Sequence, residues 1–219
     1  MDDDLQLVIF DCDGVLVDSE VISNRVLAQM LSEEGLPTTL AQARRDYQGL
    51  LLGEVVLGAE AKLGRTMPDG WLDAYERERN DAFRQDLEAV TGAAQAVSGV
   101  LAAGIAVCVA SQGKPEKIRL SLELTGLRDL FPRTALFSAY EVPRCKPHPD
   151  LFLHAANEIG TEPARCVVVE DTPSGATAAV AASMRVLGYS ADSDEPALRR
   201  AGAETFTSMD QLPMLLGLA

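Results

Sequence analysis

Three short runs of apolar residues stand out along the chain: 5–10 (Leu-Gln-Leu-Val-Ile-Phe), 105–110 (Ile-Ala-Val-Cys-Val-Ala) and 166–169 (Cys-Val-Val-Val). Each is too short for a typical helix and too evenly apolar for a strand with one wet face. Each is therefore predicted to be a strand buried on both sides. Amphipathic stretches such as 93–103 and 116–124 follow at helical spacing. Buried strands separated by helices predict an α/β fold, a Rossmann-like doubly wound parallel sheet. In such sheets ligands gather outside the carboxyl ends of the strands. Asp11, Ser111 and the pair Glu170-Asp171 lie at or just past the end of such a run.

Between Asp18 and Val90 the texture changes. No buried-strand run occurs there, and Val21-Ile22, Val26-Leu27, Met30-Leu31, Trp71-Leu72, Tyr75 and Phe83 recur among Glu and Arg. That spacing predicts amphipathic helices. Gly35-Leu36-Pro37 ends one of them, because proline lacks the donor that a further turn needs. The expected organisation is an α/β core of 1–17 and 90–219, with an all-helical cap of 18–89 inserted after the first strand. No internal repeat or low-complexity linker is evident.

A hydrophobic fraction of 47% and a charged fraction of 24% suit a globular domain with a sizeable core. The net charge of −14 argues against nucleic acid as a partner, since binding to it rests on basic patches. The same charge repels anionic substrates unless the site carries its own cations. Cys12, Cys108, Cys145 and Cys166 form no CxxC pair, and His148 and His154 complete no zinc pattern. The first residues lack a basic region, and the apolar run after them is too short for a signal or membrane span. The expectation is a cytoplasmic protein without a membrane partner.

Four segments carry candidate chemistry: Phe-Asp-Cys-Asp-Gly-Val-Leu-Val-Asp-Ser-Glu at 10–20, Val-Ala-Ser-Gln-Gly-Lys at 109–114, Cys-Lys-Pro-His-Pro-Asp at 145–150, and Val-Val-Val-Glu-Asp-Thr-Pro-Ser-Gly at 167–175. In order and context they resemble the four motifs of the haloacid dehalogenase-like hydrolases, and the resemblance extends over essentially the whole chain. It implies that Asp11 attacks a phosphoryl group, splitting one difficult displacement into two easier ones. It implies Asp13 as the acid/base, giving a proton to the leaving oxygen and later taking one from water. Ser111 would bind a phosphoryl oxygen, with Gln112 and Lys114 as further substrate contacts. Lys146 would neutralise both nucleophile and phosphate. Asp11, the main-chain carbonyl of Asp13, Glu170 and Asp171 would make a hard, all-oxygen site for Mg²⁺.

The expected activity is Mg²⁺-dependent hydrolysis of small phosphorylated metabolites, sugar or sugar-acid phosphates, through an aspartyl phosphate. The chain resembles bacterial sugar-phosphate phosphatases, the 6-phosphogluconate phosphatase type among them, more than it does the mutases. Asp13 and Asp171 argue against dehalogenase chemistry. The absence of lysine before Lys62 argues against the Schiff base of phosphonoacetaldehyde hydrolases. A phosphohexomutase resembling β-phosphoglucomutase is the alternative. Those enzymes carry a cap histidine and arginine where this chain has Ser23 and Leu52, which favours water as the acceptor. A non-catalytic protein that kept the fold would have no need of Asp11 and Asp171. Of the cap cations Arg44, Arg45, Arg77 and Arg79, Arg79 aligns with a mutase cap lysine and is the expected substrate contact. A monomer or weak dimer is expected.

Overall fold

The first apolar run folds as β1 (Leu7–Phe10), with all four side chains fully buried. In the computed structural model, which describes residues 5–218, helices α1 (Glu20–Glu33), α2 (Leu40–Tyr47), α3 (Leu52–Leu63) and α4 (Trp71–Asp86) follow. Strand and helix then alternate: α5 (Ala93–Ala102), β2 (Ala106–Ser111), α6 (Pro115–Leu124), β3 (Leu136–Ser138), α7 (Asp150–Ile159), β4 (Cys166–Glu170), α8 (Pro173–Ala181), β5 (Arg185–Tyr189), α9 (Glu195–Arg200), β6 (Glu204–Phe206) and α10 (Leu212–Leu215). The chain divides into two compact units, Asp18–Glu88 and the remainder.

In the larger unit six strands form one sheet in the order β3-β2-β1-β4-β5-β6, every pairing parallel. The fold is α/β, as the alternation of buried runs and helices predicts. The three runs legible in the sequence are the three central strands. β1 lies between β2 and β4, with Phe10 opposite Val109 on one side and Val169 on the other. β3, β5 and β6 are short or carry Arg, Gly, Glu or Thr, so no uniform apolar run marks them. The strand order reverses beside β1, and at such a switch point the loops on either side part to leave a crevice. Asp11, Ser111 and Glu170 all sit at that carboxyl edge.

The smaller unit has a core of its own. Leu27, Leu31, Ala43, Tyr47, Val55, Ala59, Trp71 and Tyr75 pack together, with Trp71 stacked on Tyr75 at 6.0 Å between ring centroids. Thr39 and Gln42 form a reciprocal cap at the start of α2, satisfying two donors that the first turn leaves open. Gly35, at φ +88°, turns the chain after α1. Among the described residues no helix is long and apolar enough to cross a membrane.

Burial alone predicts the stability response. Ile9→Ala empties a fully buried place in the central strand and should destabilise by about 2–5 kcal/mol. Leu57 is 67% exposed, and Leu57→Ala should change stability by less than about 0.5 kcal/mol. Urea unfolding followed by circular dichroism compares the two; similar losses would contradict the burial pattern.

Candidate active site

The carboxyl end of β1 delivers Asp11, whose N–H donates to the Val169 carbonyl at 2.9 Å and so stays in register with β4. The chain then folds back on itself: the N–H groups of Leu16 and Val17 donate to the Cys12 carbonyl, and Gly14 N–H donates to the Val17 carbonyl. Gly14 has φ +74°, and a Cβ there would fall 2.3 Å from Asp171 Oδ2. Only glycine allows both that backbone and that approach. Asp11, Asp13 and Asp171 are thereby gathered around one tight loop. The thiol of Cys12 is buried among them, and burial and the Asp13 charge push it well above its ordinary range. It is held as a neutral thiol, unlike a reactive thiolate.

Lys146 lies in the loop between β3 and α7. Arg144 closes that loop by a two-point ion pair with Asp150, Nε to Oδ1 at 3.0 Å and Nη2 to Oδ2 at 2.9 Å. His148 N–H donates to the Cys145 carbonyl within the same turn. Nζ of Lys146 donates to Asp11 Oδ1 at 2.6 Å, to Glu170 Oε1 at 2.6 Å and to the Ala110 carbonyl at 3.2 Å. The Phe152 ring lies 4.9 Å from the same nitrogen. Burial disfavours the ammonium, but Asp11 and Glu170 outweigh it and raise the lysine above its usual value. Burial has the opposite consequence for Asp11. Despite Lys146, desolvation reinforced by Glu170 and Asp13 pushes its carboxyl up to about 7.

At the end of β2, Ser111 is fully buried; its Oγ accepts from Gly113 N–H at 3.1 Å and lies 3.5 Å from Asp13 Oδ2. Ser138, at the end of β3, donates to the Gly113 carbonyl at 2.7 Å. Lys117, on the first turns of α6, pairs through Nζ with Asp13 Oδ1. Gln112 and Lys114 occupy the half-buried loop between Ser111 and α6.

At the end of β4, Glu170 has both oxygens engaged. Oε1 accepts from Lys146, and Oε2 accepts from Thr172 N–H at 2.7 Å and Thr172 Oγ1 at 2.9 Å. A Cβ on Gly175 would fall 1.8 Å from Glu170 Oε1, so α8 can begin here only with glycine at that position. Asp171 is buried beside Gly14, and Ser193 Oγ donates to its Oδ2 at 3.4 Å.

Four carboxylates, Asp11, Asp13, Glu170 and Asp171, thus share one sheet edge with two paired ammonium groups, Lys117 and Lys146. With all six ionised, the difference is two negative charges. Among the described residues no three acidic, histidine or cysteine side chains converge as a ready-made metal cage. Mg²⁺ does not need one: it keeps several waters and is held by one or two carboxylates together with substrate phosphate. Hard oxygen donors, excess negative charge and the contact of Asp171 with the Asp13–Gly14 turn suit such an ion.

Of the residues singled out from sequence, Asp11, Asp13, Ser111, Lys146, Glu170 and Asp171 come together. Glu170 is committed to Lys146 and Thr172 and serves as the lysine's anchor. Arg79 belongs to the helical unit; it is 6% exposed, lies over the Tyr75 and Phe83 rings, and donates to Asn80 Oδ1. Lys117, Ser138, Thr172 and Ser193 are site residues to which the sequence reading assigns no part. For Lys117 a signal existed: it shares the core face of α6 with Ile118, Ser121 and Leu122, where an unpaired lysine would be costly.

Residues 5–183 match the family described as haloacid dehalogenase-like hydrolase. The chain is 32% identical over 212 residues to the 6-phosphogluconate phosphatase of Escherichia coli (strain K12), spanning 96% of this chain and 94% of that one. It is 31% identical over 180 residues to hexitol phosphatase B of the same organism, 81% of this chain and 80% of the relative. The crystal structure of a HAD family hydrolase from Deinococcus radiodurans R1, described with bound phosphate and sodium, aligns with a TM-score of 0.80. The identity is 31%, over 99% of this chain and 96% of that one.

Removing the charge of Lys146 tests how this edge is held. Lys146→Met leaves Asp11 and Glu170 buried without their ammonium partner, and stability should fall by about 3–5 kcal/mol. Arg144→Met breaks an exposed pair and should cost less than about 1 kcal/mol. Urea unfolding measures both; a Lys146→Met protein as stable as the parent would refute the bridging role.

Proposed function

The chain belongs to the haloacid dehalogenase-like hydrolases and is a phosphatase among them, and we propose that it hydrolyses small sugar or sugar-acid phosphates with Mg²⁺, through an aspartyl phosphate on Asp11. The observation that carries this reading is the pairing of a buried carboxylate at the head of the central strand with Lys146, beside a second carboxylate at Ser111. Nucleophile, cation, acid/base and phosphoryl-binding hydroxyl share one crevice edge. Names of similar phosphatases supply the substrate class.

The substrate phosphoryl group is received by Ser111 Oγ and Lys146, whose charge offsets that of the incoming anion. Asp11 attacks phosphorus as the ester P–O bond breaks, and Asp13 hands a proton to the leaving oxygen. In the second half Asp13 takes a proton from water while the water oxygen bonds to phosphorus, releasing phosphate and restoring the Asp11 carboxylate. Asp11, the Asp13 main-chain carbonyl and Asp171 would hold Mg²⁺, with Glu170 behind them through Lys146 or a water. The ion supplies positive charge to the phosphoryl oxygens. In the helical unit Arg79 is the proposed contact for a second anionic group. Ser23 and Leu52 offer neither a switchable charge nor a guanidinium fork for anchoring a sugar phosphate in two orientations, which favours hydrolysis over phosphoryl return.

The test is a panel of phosphate esters including p-nitrophenyl phosphate, 6-phosphogluconate and β-glucose 1-phosphate. Mg²⁺ should support release of inorganic phosphate. A chelator should abolish it, and Ca²⁺, which takes more ligands at longer distance, should inhibit. Asp11→Asn should lose more than about a thousandfold in kcat with the fold intact. Equal rates with Mg²⁺, Ca²⁺ and chelator would overturn the metal. Rapid conversion of β-glucose 1-phosphate to glucose 6-phosphate with little free phosphate would promote the mutase.

A further inference from the structure

Lys117 has no part in the mechanism above, yet it is 7% exposed and its ammonium is set on Asp13. An ammonium is expensive to bury, so its place demands a reason. The backbone makes room for it. Gly113 does not adopt a left-handed backbone, so glycine is not needed there for φ. A Cβ at Gly113 would fall 3.1 Å from Lys117 Cδ, so the lysine stem runs close against this backbone. Gly113 is itself clamped on both sides, by Ser111 Oγ on its N–H and Ser138 Oγ on its carbonyl. The two lysines divide the edge between them: Lys146 bridges Asp11 and Glu170, and Lys117 takes Asp13 Oδ1. The remaining Asp13 oxygen, Oδ2, faces Ser111 Oγ.

We infer that Lys117 is a positioning residue for the proton-transfer step, holding Asp13 by Oδ1 so that Oδ2 is aimed at the leaving oxygen of an ester whose phosphoryl group Ser111 receives. This rests on the phosphatase reading above and names how its acid/base is aligned. As the ester P–O bond breaks, the proton on Oδ2 passes to the leaving oxygen, and Asp13 is left as a carboxylate against the ammonium. When water attacks the aspartyl phosphate, its proton returns to Oδ2 and phosphate departs. Lys117 forms and breaks no bond to substrate. Its loss therefore affects esters in proportion to how much their leaving group needs the proton.

The experiment compares the first-turnover release of two leaving groups with Mg²⁺: nitrophenolate from p-nitrophenyl phosphate, which departs without a proton, and the alcohol from the alkyl phosphate hydrolysed fastest by the parent. Lys117→Met should slow alcohol release about ten- to a hundredfold and nitrophenolate release less than about threefold, with KM little changed for either. Lys117→Arg should recover most of the alkyl rate. Gly113→Ala, which crowds the lysine stem without removing its charge, should show the same selectivity and carries the test if Lys117→Met does not fold. Equal slowing of both esters, or a rise in KM as the main effect, would assign Lys117 to phosphate binding or structure and overturn the inference. No slowing of either would do the same. A parent enzyme that hydrolyses neither ester would remove the phosphatase reading itself, and the inference with it.

Discussion

One buried ammonium organises the carboxyl edge of the sheet. Lys146 reaches Asp11 after β1, the Ala110 carbonyl in β2 and Glu170 at the end of β4, tying together the three central strands where they stop. A buried charge is tolerated only with partners of good geometry, so the partners and their supports are constrained in turn. Thr172 holds the second oxygen of Glu170, Gly175 leaves it space, and the Arg144–Asp150 pair closes the loop from which Lys146 extends. The sheet order matters for the same reason: with β1 flanked by β2 and β4, one side chain can touch all three.

Close approach is the second constraint. Asp171 meets the turn after β1 only because residue 14 lacks a Cβ, and the stem of Lys117 runs close against residue 113 on its way to Asp13. The site is a set of charges gathered where the backbone leaves room for them. The carboxylates outnumber the lysines paired with them, and burial holds the Asp11 carboxyl up to about 7. Such an edge is suited to a divalent cation and a phosphate arriving together, each offsetting the charge that repels the other.

The central sheet was legible in the sequence because β1, β2 and β4 are buried on both faces and read as uninterrupted apolar runs. β3, β5 and β6 were not, being short or interrupted by polar residues and glycine. The residues at the strand ends were legible through four motifs, each following one of the first four strands in chain order. The supports were not. Lys117 is marked only by its place on the apolar face of its helix, which names no partner, and Ser138 ends a three-residue strand that carries no pattern. Their contacts with Asp13 and Gly113 cross 104 and 25 residues of sequence, a separation that no local spacing reports.

The central claim is that the phosphoryl group passes through Asp11. The protein can be mixed with Mg²⁺ and p-nitrophenyl phosphate, quenched in acid on the time scale of a turnover, and reduced with borohydride, which converts an aspartyl phosphate to homoserine. Peptide mass spectrometry then locates the reduced residue. The account predicts homoserine at position 11 and nowhere else, dependent on substrate. Turnover without any reduced residue, or phosphate carried on another side chain, would contradict it.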